Sequence, residues 1–126
     1  MALTRVSLLK GKSTEYKQAI LKNLYIAMNE TFNLAEDNDF MVIHEHESDG
    51  FVYGKNYLNI PRTDDLVIIQ ITANNTRTLE EKKALYARIA ELLNQDLGVR
   101  KEDVFISLLE VKKEAWSLGC GLAQYA

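Results

Sequence analysis

Side chains able to do chemistry are sparse in this sequence, and most stand alone. His44 and His46 lie two residues apart and alternate with Glu45 and Glu47, a spacing that two ligands of a metal on a strand would show. Two imidazoles at that spacing equally make a polar strand face, and no further ligand cluster joins them, so no metal site is expected. Cys120 is the only cysteine, which excludes an intrachain disulfide and suggests a small packed side chain. Arg77 is more informative. It lies just before a helix start, where a cation meets the positive end of the helix dipole, so the position favours a bound anion. A planar guanidinium can grip a carboxylate through two parallel N–H bonds. Trp116 is the only tryptophan, a residue that suits the core of a small domain. No Gly-rich phosphate loop, nucleophile elbow or zinc spacing is present.

The chain that must position these residues has 126 residues, 47% hydrophobic and 26% charged, with a single proline. That length suits one domain, 1–126, burying roughly two-thirds of the surface of the extended chain. Fifteen basic against eighteen acidic residues give a net charge of −3, which argues against a nucleic-acid or anionic-membrane surface. The longest apolar run, Leu66 to Ile69 with Ile71 beyond it, is far too short to span a bilayer. The opening Met1-Ala2-Leu3-Thr4-Arg5 lacks the parts of a secretory leader, so the mature chain is expected to begin at or beside Met1 and to be cytoplasmic.

Sliding the sequence along itself by sixty-five positions sets Ser13 on Thr78, Glu15 on Glu80, Lys17 on Lys82, Asn29 on Asn94, Phe40 on Phe105 and Glu45 on Glu110. Chance aligns two amphipathic helices easily but not the turn and strand that follow, so the chain reads as an internal duplication, about 2–46 and 66–111. Each unit is strand, helix, strand. The first runs through Leu3–Leu9, a helix capped by Ser13 with Tyr16, Ile20, Leu24, Met28 and Phe32 on one face, and Phe40–His46. The second runs through Leu66–Thr72, a helix opened by the Thr78–Glu81 capping box and stopped by Gly98, and Val104–Val111. Its apolar face is Leu85, Ile89, Leu92, Leu93 and Leu97. A strand joined to its neighbour through a helix must run parallel to it. The expected fold is therefore an α/β, α+β sandwich: a four-stranded sheet with both helices on one face. The bare face calls for a cover, either copies of the chain or a ligand. The connector from Glu47 to Asp65 either lines a site or wraps a sheet edge.

The duplicated unit, the opening Leu3-Thr4-Arg5-Val6-Ser7-Leu8-Leu9-Lys10-Gly11-Lys12-Ser13, the stretch Arg62–Asp65 and the ending Trp116-Ser117-Leu118-Gly119-Cys120-Gly121 together resemble the tautomerase superfamily. The resemblance is closest to its long-chain bacterial, malonate semialdehyde decarboxylase-like members. It implies the β-α-β fold of that superfamily, shared with macrophage migration inhibitory factor, assembled as a homotrimer with each active site near a subunit boundary. It also implies a small carboxylate-bearing ligand, no cofactor, and no nucleic-acid or membrane partner.

In that family the residue exposed by removal of Met is usually a proline whose secondary amine is the catalytic acid or base. Ala2 stands there, and its small size permits removal of Met1. An α-amine with an ordinary pKa of about 7.7–8.0 suits proton transfer near neutrality, so Ala2 either acts as the base or merely begins a buried strand. Arg77 matches the arginine that holds a substrate carboxylate, and Trp116 the tryptophan beside the site. Asn75 replaces a second arginine, and Asn38 replaces an aspartate that orients water; an amide cannot serve as a base. Lys12, the repeat partner of Arg77, reads as a solvated lysine. The resemblance thus implies a tautomerase, or less readily a decarboxylase-like lyase, acting on a small 2-keto or semialdehyde acid. Its alternative is a non-catalytic trimer of the same fold that binds a small carboxylate. Without the resemblance, the element order also fits a ferredoxin-like regulatory module.

Overall fold

The computed structural model describes residues 2–126; the expectations that concern Met1 fall outside the described residues. Strand β1 (Ala2–Leu9) buries Ala2, Thr4, Val6 and Leu8 and turns Arg5 outward, the two-residue alternation of a strand with one covered face. The same holds in β3 (Val67–Asn74), which buries Val67, Ile69, Ile71 and Ala73. The flanking strands β2 (Phe40–His46) and β4 (Val104–Val111) send Met41, Ile43, Val104, Ile106 and Leu108 into the same core. The sheet order is β2-β1-β3-β4, with β1 parallel to β2, β3 parallel to β4, and the central pair antiparallel. Each unit keeps its two strands side by side, which excludes the ferredoxin-like alternative, a split β-α-β arrangement. The strand bounds agree with those read from the sequence, except that β1 starts one residue earlier and β3 is shifted toward Asn74.

Helices α1 (Thr14–Phe32) and α2 (Leu79–Leu97) both span 19 residues. The Ser13 hydroxyl accepts from the Tyr16 N–H, and Thr78 and Glu81 close a reciprocal capping box. Each helix stops on a left-handed residue, Gly98 in α2 as expected and Asn33 in α1. Asparagine tolerates that conformation better than most residues with a Cβ. Ile20, Leu24 and Met28 of α1 meet Leu85, Ile89 and Leu93 of α2 in one core against the sheet. At the helix contact Asn23 donates to Asp96 at 2.8 Å, and Arg88 grips Glu30 at 2.6 Å.

The two units correspond in contacts as well as in elements. Lys17 pairs with Glu45 at 3.0 Å and Lys82 with Glu110 at 2.7 Å, each tying the helix to the second strand of its own unit. The correspondence runs past 2–46 and 66–111. A 3-10 turn at Ser48–Gly50 follows β2, and another at Lys113–Ala115 follows β4, again sixty-five positions apart. The same shift carries Phe51 onto Trp116 and Gly54 onto Gly119. The connector and the C-terminal tail are thus the same part of the repeat, although their sequences differ.

Cys120 is exposed, contrary to the expected packed thiol, because it lies in the tail beyond the last strand rather than over the core. Among the described residues, no helix is long and apolar enough to cross a membrane.

Candidate functional site

The sheet face away from the helices carries the candidate site. At one end of that face Ala2 pairs with Ala73, and Leu3 pairs with Phe40 on one side and Thr72 on the other. Ala2 is 2% exposed, its methyl group in the core and its backbone at the margin of the sheet. Beyond β4 the chain turns back so that Trp116, Ser117 and Leu118 stand against Leu3 and Phe40, enclosing a cavity of about 190 Å³. The indole N–H donates to the Asn74 carboxamide oxygen at 2.7 Å, which orients the ring. Asn74, the last residue of β3, is itself buried, so this bond satisfies a polar group that would otherwise be costly to bury.

Asn38 lies two residues before Phe40 and is 9% exposed. Its backbone N–H donates to Ala35 in the turn after α1, and its side-chain oxygen has no partner among the described residues. A buried acceptor left in this state is unusual in a folded chain. Asn75 extends past β3, where its backbone N–H donates to Val111 at 2.9 Å.

Arg77 has a structural task that the sequence did not reveal. Its guanidinium donates to the Phe32 carbonyl at 3.0 Å and to the Thr76 hydroxyl at 3.2 Å, and it stacks 4.7 Å over the Phe32 ring. The positive charge therefore meets the C-terminal end of α1, where the helix dipole favours it, and offsets its unfavourable place before α2. Among the described residues no carboxylate pairs with Arg77 within 4 Å. Arg77 and Asn75 are not among the residues lining the 190 Å³ cavity, whereas Trp116 is. Lys12, its repeat partner, stays partly exposed in a surface ion pair. It donates to Asp65 at 2.6 Å and sits 5.1 Å from the Tyr16 ring centre. That bond raises the lysine pKa, while burial raises that of the Tyr16 hydroxyl.

The histidines do not converge. His44 lies 3.0 Å from an Arg5 guanidinium nitrogen, and because arginine only donates, the His44 Nε2 must accept. His46 packs its ring 5.8 Å from Phe51. No group of three or more potential metal ligands occurs among the described residues.

A second cavity, of about 360 Å³, lies at the other end of the same face. Its floor is Ile68 and Phe105, the repeat partners of Leu3 and Phe40, and its cover is the connector from Val52 to Tyr57. Arg62 organises this cover by donating from one nitrogen to the carbonyls of Gly54, Tyr57 and Ile60. The Tyr53 hydroxyl donates to Asp64 at 2.7 Å, which pushes its pKa up to about 12. Thr63 anchors the segment by donating its N–H and hydroxyl to the buried Asp103 carboxylate at 2.7 and 2.6 Å. The connector thus folds over the sheet face and lines a cavity there. The signal available in the sequence was the tyrosine-rich stretch with Arg62-Thr63-Asp64-Asp65.

Two sequence families, each described as tautomerase enzyme, match this chain over residues 38–119 and 3–59. A probable tautomerase of Bacillus subtilis (strain 168), YusQ, is 42% identical over 98% of both chains. A second probable tautomerase of that organism, YrdN, is 27% identical over 99% of this chain and 96% of its own. Among solved structures, FG41 malonate semialdehyde decarboxylase inhibited by 3-bromopropiolate is 31% identical, with a TM-score of 0.90 over 98% of this chain and 93% of its own. A symmetric trimer of fused 4-OT shares the fold at 20% identity, with a TM-score of 0.79 over 98% and 97% of the two chains.

Proposed function

The chain belongs to the tautomerase family, and on that premise we propose that it isomerises a small 2-keto or semialdehyde acid between enol and keto forms, with the Ala2 amine as acid and base. The observation that carries this reading is the neighbourhood of Ala2: a small, mostly apolar cavity bounded by Leu3, Phe40 and Trp116. Asn38, with its unpartnered buried oxygen, lies just ahead of the strand that pairs with β1. Once Met1 is removed, the free amine takes the enol O–H proton and the resulting ammonium returns a proton to carbon. The step is balanced without any co-reactant. An α-amine with an ordinary pKa of about 7.7–8.0 is present in both protonation states near neutrality, so one group serves both as acid and as base.

Asn38 accepts from the ammonium and holds it toward the reacting carbon. Arg77 and Asn75 stand outside the lining of this cavity, so on this reading the substrate reaches beyond it for its carboxylate to meet the guanidinium N–H groups that the α1 terminus leaves free, with Asn75 adding a neutral amide. Trp116, tied to Asn74, is an apolar wall that excludes water. Decarboxylation is less well supported, because Asn38 offers no base and Asn75 no charge. The trimeric state of fused 4-OT and the uncovered apolar residues Phe40, Phe105 and Leu109 support a homotrimer assembled over this face.

A second reading is favoured by the contacts of Arg77. Because its guanidinium already stabilises the end of α1, the residue has a reason to be present without any substrate, and Ala2 lacks the rigid ring of proline. On this reading the protein is a non-catalytic trimer that binds a small carboxylate. The test is a keto–enol assay on a small enol acid for the native chain and Ala2→Pro, with intact mass establishing that Met1 is absent. Turnover in the native chain supports the enzyme. Turnover in Ala2→Pro alone supports the binding protein, and turnover in neither overturns the assignment of the amine.

A further inference from the structure

We infer that the second cavity is a non-catalytic binding site for a small acid with an apolar body, which Arg62 recognises through its carboxylate. The inference rests on the proposed function, since it treats this cavity as the repeat counterpart of the proposed substrate cavity. The sixty-five-position shift carries the Leu3–Phe40 floor onto Ile68–Phe105, and the Trp116–Leu118 cover onto Phe51–Tyr53. The counterpart of Ala2 is Val67, whose nitrogen is an internal peptide amide in every form of the chain. A peptide nitrogen is not a base at neutral pH, so this end of the sheet keeps the shape of a site without its proton-transfer group.

The lining determines the ligand class. Ile68, Phe105, Leu66 and Val52 give the larger cavity an apolar body, as small-molecule sites commonly have. Arg62 is its one cationic lining residue, and it is half-buried. Among the described residues its donations all come from one terminal nitrogen, and no carboxylate lies within 4 Å of it. A guanidinium partly withdrawn from water without a counter-ion attracts a carboxylate. The charge pattern of the sheet face agrees with this selection. Its strand positions carry Arg5, His44 and His46 but no Asp or Glu, because Glu45 and Glu110 both turn to the helix side and pair there. The chain is acidic overall, yet the strand positions of this face bear no formal negative charge.

Benzoate is the probe, counted by titration calorimetry on the native chain, Arg62→Gln and Val52→Trp. Val52 is 92% exposed, so the bulkier side chain closes the cavity mouth without disturbing the core. Native protein is expected to bind one benzoate more per chain than Val52→Trp. Arg62→Gln is expected to weaken that site about tenfold or more, while enol-acid turnover is retained in both variants. Equal site numbers and affinities in all three proteins overturn the inference. So does a native chain without the extra site whose sedimentation coefficient falls in Val52→Trp, which identifies the occupant as a second copy. If turnover is absent throughout but the Val52-sensitive site remains, the catalytic reading fails and this one stands.

Discussion

The first and second units are built on one plan and differ where chemistry is expected. In the first, the strand begins at Ala2, the residue before the helix is Lys12, and that lysine is neutralised by Asp65. In the second, the matching strand position is internal, and the residue before the helix is Arg77, whose partners are a carbonyl, a hydroxyl and an aromatic ring. Two cavities of related floor therefore carry different groups. One has an indole beside the strand that begins at Ala2, the other an arginine-stitched connector. The framework that the units share is the part expressed in buried apolar residues and helix caps. The part that differs lies at strand ends and in the segments that fold over them, where a substitution leaves the core intact.

The largest expected effects test the shared framework. Ile20→Ala and Leu85→Ala remove repeat-related side chains that are both fully buried, and each should cost about 2–5 kcal/mol in denaturant unfolding. Costs differing by more than that range would break the equivalence of the units. Next come the paired cations. Arg77→Ala should lower kcat/KM on an enol acid about 10–100-fold, the worth of a charged hydrogen bond, against less than about twofold for Lys12→Ala. Arg77→Lys separates the roles, since it keeps charge near the α1 terminus but loses the planar grip. Equal effects at positions 12 and 77 would remove Arg77 from the site.

The helix stops give a smaller contrast. Gly98→Ala forces a Cβ into a left-handed residue, φ 68°, and should cost about 1 kcal/mol, whereas Asn33→Gly should be neutral or slightly stabilising in thermal unfolding. Smallest is an acid effect confined to the second unit. Hydrogen bonds from Thr78 hold the Glu81 pKa below its ordinary value. The contribution of that carboxylate is therefore present above the unfolded pKa and is lost as pH falls through the lowered folded value. Ser13 has Tyr16 at the matching position and no such partner. Amide exchange at the start of α2, relative to the start of α1, should accelerate as pH falls below about 4 once the intrinsic rate is divided out.

Much of the fold was legible because its signals are local. The bounds of β2 and β4 follow from runs of alternating or β-branched residues between turns, and Ser13, Thr78 and Gly98 mark helix ends through groups a few residues away. The repeat was legible only where sequence identity survived. The equivalence of connector and tail lies in their backbone path, two 3-10 turns after two strands, and Phe51 set on Trp116 is a weak signal alone. The packed role read for Cys120 failed because a general tendency of thiols says nothing about where a tail lies. Arg77 was legible as a cation before a helix, but its stacking on Phe32 joins residues 45 apart in the chain.

By itself, the sequence determined the parts and their polarity: two β-α-β units, the helix caps, the apolar faces and a family resemblance borne by residues at both ends. Periodicity and caps are set by near neighbours, whose geometry follows from the backbone. Tertiary structure alone decided that Trp116 meets Leu3 and Phe40, that Arg77 reaches the end of α1, and that a cavity lies at each end of one sheet face. Those features depend on which distant side chains converge when the sheet and helices pack, and no local spacing encodes that convergence.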